Sequence, residues 1–286
     1  MLYAALSVLY LATGGVGIGV LGVHRFSKPF LALLVLAALR AALPGDSWLA
    51  RALLGARSRL AGAYAALERR TPWARSLLDA TAAVLTVQAV AKLTAFLANL
   101  LLPAARERPF SMPFAGAKLA ETFAAWDSGW YFDIAQRGYF FKAQGQSSIA
   151  FFPLYPLLVR ALAWPFGDGD RALWVAGVVL SCACLLAGLT VLHRLAWTRL
   201  GVAEPARRTV LYLAVFPFAY FFTQVYTESL FLLLTVGAVA AATFSRWGLA
   251  GVLGALAALT RPNGVLVAVP LALMALADRP GVGTLV

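Results

Sequence analysis

Residues 126–139 read WDSGWYFDIAQRGY, which sets carboxylates among aromatic rings. On a helix Asp127, Trp130, Tyr131 and Ile134 share one face, while Asp133 points elsewhere. Such rings, Trp126 and Tyr139 included, stack on the apolar face of a pyranose. A single carboxylate beside them is placed to take the proton of an acceptor hydroxyl. An amphipathic helix lying at a membrane interface, with Trp and Tyr at headgroup level, carries the same residues. A second string, Tyr226-Thr-Glu-Ser229, sets a carboxylate between two apolar stretches. An ionisable group at membrane depth is costly and points to function, although Thr227 or Ser229 capping a helix, with Glu228 at its positive end, explains the same letters. A third string, Thr260-Arg-Pro-Asn-Gly264, offers Arg261 and Asn263 at the mouth of broken helices. A guanidinium there suits a phosphate, and a tight polar turn is the plain alternative.

Other patterns carry less. Gly17-x-Gly19-x-x-Gly22 matches a dinucleotide fingerprint in letters, but it lies inside an apolar run with no preceding strand. Helix packing through small residues explains it. Cys182 and Cys184, the two cysteines, stand two apart in an apolar run and point to different helix faces. They read as small core residues. Lys92 sits within an apolar stretch and takes no role from the sequence; His24 and His193 make no metal pattern.

The elements that must position these strings are apolar helices. Apolar residues make up 62% of the 286 and charged residues 13%, about half the share in a soluble domain. Mean hydropathy is +0.80 and the pI is near 10.3. The net charge of +12 comes from basic clusters between apolar stretches. That is membrane-protein patterning and speaks against a nucleic-acid partner. With about 20 apolar residues needed to cross a bilayer, the candidate spans are Met1–Val23 (a helix rather than a signal peptide), Pro29–Leu43, Leu77–Leu102 and Leu173–Leu192. Thr209–Phe244 is long enough for two more, with a polar interruption at Thr223–Ser229. Gly248–Leu259 and Val265–Ala277 are too short to cross alone, and discontinuous helices of that kind line polar cavities.

The segment Pro44–Ser76 holds six Arg against two acids, and His193–Arg208 holds four Arg against Glu204, so both are expected on the cytoplasmic side. Pro103–Ala150, with five basic and four acidic residues, is expected outside. The stretch Phe151–Phe166 then lies along the outer surface or re-enters it, and all three polar strings face one side of the membrane. The predicted fold is all-α and polytopic. Residues 1–76 form a two-helix N-terminal unit with a basic loop, and 77–286 form the main membrane domain with an external loop over 103–170.

In content and order, WDSGWYFDIAQRGY, AFFPLYPLLVR, FPFAYFFTQVYTESLF and ALTRPNG resemble the PIG-V-type mannosyltransferases, over roughly Thr122 to Ala277. That family belongs to the GT-C superfamily of polytopic glycosyltransferases, which take sugar from a polyprenyl phosphate on the extracytoplasmic or lumenal side. The resemblance implies that Asp127 is the acidic residue of the first external loop, the catalytic position, and that Phe151–Arg160 is the juxtamembrane segment after it. Glu228 matches the acid of the YxES motif, and Arg261 with Asn263 the polar turn that follows. Eukaryotic members have a histidine where Trp130 stands, so the chain is similar to the bacterial branch, away from a GPI acceptor. The family continues through further helices beyond the end of this chain, so a shortened or incomplete form is expected.

The expected activity is inverting transfer of a hexose, mannose by the resemblance, from a polyprenyl-phosphate sugar to an acceptor hydroxyl. Asp127 and Glu228 are the catalytic candidates, and Arg261 and Asn263 hold the donor phosphate. Trp126, Trp130, Tyr131, Tyr139, Tyr155 and Tyr226 are the candidate sugar and acceptor contacts. A divalent metal is compatible with the two carboxylates, without a ligand cluster to define its site. The partners are the bilayer, the lipid-linked donor and an acceptor; the site is the bacterial plasma membrane. Two rivals use the same broken helices: a transporter or flippase of a lipid-linked sugar, and a non-catalytic subunit of a glycosylation complex. The long aromatic loop and the lack of a visible inverted repeat stand against the transporter.

Overall fold

The computed structural model describes residues 71–101, 119–167 and 169–278. All but 71–76 of the expected N-terminal unit, and 102–118 of the expected external loop, lie outside them. Among the described residues every regular element is helical. The α-helices are α1 (Pro72–Leu101), α2 (Ser128–Arg137), α3 (Leu154–Ala163), α4 (Asp170–Leu200), α5 (Ala203–Val215), α6 (Glu228–Thr243), α7 (Trp247–Ala258) and α8 (Ala268–Ala277).

Two of these are long and apolar enough to cross a membrane, the Pro72–Ala98 part of α1 and the whole of α4. At about 1.5 Å per residue each exceeds 40 Å, against an apolar core of about 30 Å. Pro72 opens α1, where its missing N–H leaves no bond unmade. Asp170 lies in the first turn of α4 and Arg199 in the last, each suiting the helix dipole, and Gly201 ends the helix with φ +70°. The two helices run antiparallel, since Ser76 near the start of α1 meets His193 near the end of α4.

Helix α6 packs along α4 through small residues. In lipid no hydrophobic gain drives two helices together, so close approach and dispersion contacts must. Ala176, Ser181 and Cys184 on α4 and Ala238 on α6 are buried. At Gly188 the two helix backbones come close, for a Cβ there would lie 3.3 Å from the Leu233 backbone. Cys182 and Cys184 are free thiols. The largest core cluster gathers Tyr131, Tyr155, Val159, Leu173, Tyr226, Leu230 and Leu234.

The observed boundaries differ from those expected in three places. Helix α1 begins at Pro72, before the expected Leu77 and inside the expected N-terminal unit. The span expected to end at Leu192 continues as helix to Leu200, carrying His193 and Arg194 with it. Thr209–Phe244 does not form two full spans. It contains the end of α5, a 3-10 stretch Pro217–Thr223 and the 16-residue α6. Pro217 removes an N–H and forces Phe216 into extended backbone (φ −59°, ψ 137°), so α5 stops before it. Helix α3 buries Tyr155, Pro156, Val159 and Ala163 and exposes Leu157 and Arg160. With 10 residues it is too short to cross a bilayer.

Candidate active site

The segment before α2 is tied down backbone first. The Thr122 carbonyl accepts from Lys92 Nζ at 2.7 Å, Gln224 Nε2 at 2.6 Å and the Tyr220 hydroxyl at 3.0 Å. The next carbonyl, Phe123, accepts from the Val225 N–H at 3.0 Å. Ser128, fully buried, takes the Ala125 N–H on its hydroxyl at 3.1 Å. Between these anchors Trp126 sits at φ +49°, a left-handed conformation costly for a bulky residue. Its ring lies against Tyr220 and Phe221, at centroid distances of 6.1 and 5.3 Å.

Asp127 follows at the N-terminus of α2, and its carboxylate does not cap that helix. Its N–H donates to the Tyr226 hydroxyl at 2.7 Å, a bond between residues 99 apart in the chain. Tyr226 is buried against Tyr131, at 5.9 Å between ring centroids, and Phe221, at 5.4 Å. Burial pushes the phenols of Tyr131 and Tyr226 above their ordinary value, and the carboxylates of Glu228 and Asp127 push the same way. Both therefore stay neutral hydroxyls at working pH.

Two residues beyond Tyr226, Glu228 opens α6 and accepts from Arg261 Nη1 at 2.9 Å. This pair joins the two helix breaks: the side chains are 21% and 38% exposed, so the guanidinium still reaches solvent. The Glu228 Oε2 atom is buried without a hydrogen bond. The Arg261 break is held by two contacts. The Leu154 N–H donates to the Leu259 carbonyl at 3.1 Å, tying α3 to the end of α7. Gly264 presses on α7 so closely that a Cβ would fall 2.2 Å from the Ala257 carbonyl oxygen, which explains the Asn-Gly step. Asn263 is exposed in the Pro262–Val267 turn.

Asp127, Tyr131, Tyr226, Glu228 and Arg261 thus share one neighbourhood; the Tyr131 phenol senses the charges of Asp127, Glu228 and Arg261 together. The remaining candidates stand differently. Tyr155 is 0% exposed, its hydroxyl shared between Ser181 Oγ at 2.8 Å and the Gly177 carbonyl at 3.1 Å. It is a core residue, not a sugar contact. The Trp130 ring stacks against Phe140 and Phe151 at 5.9 and 5.5 Å. The face it was expected to offer is engaged by protein. Tyr139 is half exposed and donates to the Phe151 carbonyl at 2.7 Å. Among the described residues no group of three His, Cys, Asp or Glu is placed to hold a metal; Asp127 and Glu228 are the carboxylates a cation would meet here.

Sequence reasoning passed over Lys92 and Gln224, which hold this segment. The signal for Lys92 was its charge within an apolar helix; Gln224 stood unremarked in the polar interruption. A second polar cluster lies at the opposite end of α1 and α4. His193 Nδ1 is 2.9 Å from Ser76 Oγ and its Nε2 is 3.2 Å from Asp79 Oδ2, which Arg75 Nε reaches at 2.7 Å. Serine, histidine and carboxylate stand in hydrolase order, yet Ser76, His193 and Asp79 are all buried. The cluster is a clamp between helices.

The sequence pattern of one family, mannosyltransferase (PIG-V), matches residues 76–277. The chain belongs to the PIG-V mannosyltransferase family. The match covers α1 to α8 almost entirely and includes all five residues of the shared neighbourhood. No curated protein and no solved structure matches the chain. The family's chemistry is glycosyl transfer of mannose, and it accords with a membrane protein built on the two long apolar helices.

Proposed function

We propose that this PIG-V family chain moves mannose from a polyprenyl-phosphate donor to an acceptor hydroxyl, with inversion, on the extracytoplasmic face of a bacterial plasma membrane. The observation that carries the reading is the meeting of the Asp127 segment with the Arg261–Glu228 pair at two helix breaks. Asp127 takes the proton of the acceptor hydroxyl as its oxygen bonds to the anomeric carbon. The bond from that carbon to the phosphate oxygen breaks, and its electron pair leaves with the lipid phosphate. Arg261 meets that growing charge, with Asn263 beside it. A guanidinium has five N–H donors, so one bond to Glu228 leaves others for phosphate. Glu228 orients the fork. Attack on the face opposite the leaving phosphate inverts the anomeric centre.

The placement of charge supports the sidedness. Arg75, Arg194, Arg199, Arg207 and Arg208 all belong to the end of α1, α4 and α5 away from Asp127, where the positive-inside rule puts cytoplasm.

The test is transfer from radiolabelled polyprenyl-phosphate mannose to membrane acceptors by the chain in liposomes, beside Asp127→Asn. Label on an acceptor with the intact chain alone is the expected result. No transfer by folded protein with intact donor overturns the reading in favour of a transporter or a subunit. Full turnover by Asp127→Asn overturns the assignment of the base.

A further inference from the structure

Lys92 is 7% exposed, lies within the apolar helix α1, and meets no carboxylate among the described residues. A charge near the middle of a membrane helix is costly, so a fold that keeps one there uses it. Its ammonium is enclosed by one carbonyl and two ring faces. Nζ donates to Thr122 O at 2.7 Å and stands 4.4 Å from the ring centroids of both Phe123 and Tyr220. A desolvated ring face attracts a cation, and this cage has two such walls.

The walls belong to the two segments that hold Asp127. Thr122 and Phe123 lead directly into the strained Trp126, and Tyr220 lies on the stretch whose rings receive Trp126. Gln224 and Tyr220 donate to the same Thr122 oxygen as Lys92. A neutral amide in place of Lys92 would supply one hydrogen bond to that carbonyl but would leave both rings unpaired.

We propose that Lys92 is a positioning residue for the transfer reaction: its caged ammonium pins the Thr122–Asp127 segment to α1 and holds Trp126 in the conformation that aims Asp127. The inference rests on Asp127 acting as the base. It assigns Lys92 no contact with substrate.

The experiment compares the full chain with Lys92→Met, Lys92→Gln and Lys92→Arg in liposomes, by transfer kinetics and by amide hydrogen exchange. In Lys92→Met we expect turnover to fall about 100-fold, the effect of a misplacement near 1 Å, with KM for polyprenyl-phosphate mannose changed little. Lys92→Arg, which keeps a cation and its donors, recovers most of that loss. In the Asp127→Asn background Lys92→Met costs nothing further, because the two act in series. Exchange rises over residues 119–128 and stays unchanged in α4 and α6. Lys92→Gln gives the same local rise if Lys92→Met does not fold. Unchanged exchange over 119–128 overturns the proposal, and so does loss of protection throughout the molecule, which marks a lysine needed for folding alone. Additive losses with Asp127→Asn overturn it as well. If the intact chain transfers nothing, the mannosyl reading fails while the exchange pattern still decides whether Lys92 pins the segment.

Discussion

The two ends of the α1–α4 pair are both built on buried charge, and they are finished differently. At one end Arg75, Asp79, His193 and Ser76 meet in one cluster between the helices, with Asp79 and His193 almost wholly out of solvent. At the other end Lys92 is closed in by a carbonyl and two rings, and the groups above it remain open. Arg261 is more than a third exposed, Asp127 is exposed, and a Glu228 oxygen is buried without a hydrogen bond. A polar cluster sealed from solvent rigidifies a contact and is out of reach of a ligand. One open to solvent keeps donors and acceptors where a substrate can meet them. On the proposed reading, that difference in access separates the end that clamps from the end that works.

Four substitutions break or sharpen that contrast. The largest effect is expected from Asp127→Asn, a loss of about a thousandfold in transfer with the thermal unfolding midpoint unchanged; a matching fall in midpoint would put Asp127 with the clamp. Next, Asp79→Ala removes the buried carboxylate that Arg75 and His193 share and should cost about 3 kcal/mol of stability, read by denaturant unfolding in detergent. Transfer per folded molecule should survive; its disappearance at full stability would move chemistry to the wrong end.

Arg261→Lys replaces a planar fork by a point charge, and the donor KM should rise about tenfold. An unaltered donor KM would take the phosphate away from Arg261. The smallest effect belongs to Tyr155→Phe, which removes the hydroxyl bonded to Ser181 and Gly177 inside the bundle, worth about 1 kcal/mol for the two bonds. Turnover should not change, and a turnover defect at unchanged stability would restore Tyr155 to the site.

Much of the fold was legible because helix and break are local matters. An apolar run, a proline at 217 or 262 and a polar tetrad act on their own neighbours along the chain, so the expected break at Arg261–Gly264 falls within the observed one, while that expected at Thr223–Ser229 overlaps an interruption that opens earlier, at Phe216. The long spans were legible in existence and misjudged at their ends: α4 runs on past Leu192, because a basic stretch stays helical where the hydropathy signal stops. Within the aromatic string, spacing put Asp127, Trp130 and Tyr131 on one face but did not say what would cover it. Phe140 and Phe151 take up Trp130, and Tyr155 goes to the core. A tyrosine that stacks on sugar and one that bonds Ser181 look alike in a string of letters.

What the sequence by itself determined is the apolar helical character, the three polar strings, their order and hence the family, since composition, periodicity and motif order are properties of the chain read locally. Only the tertiary structure decided that Asp127 leans on Tyr226, that Arg261 pairs with Glu228 and that Lys92 closes on Thr122. Those partners stand 99, 33 and 30 residues apart, and a contact across such distances depends on how helices pack, which no local pattern encodes.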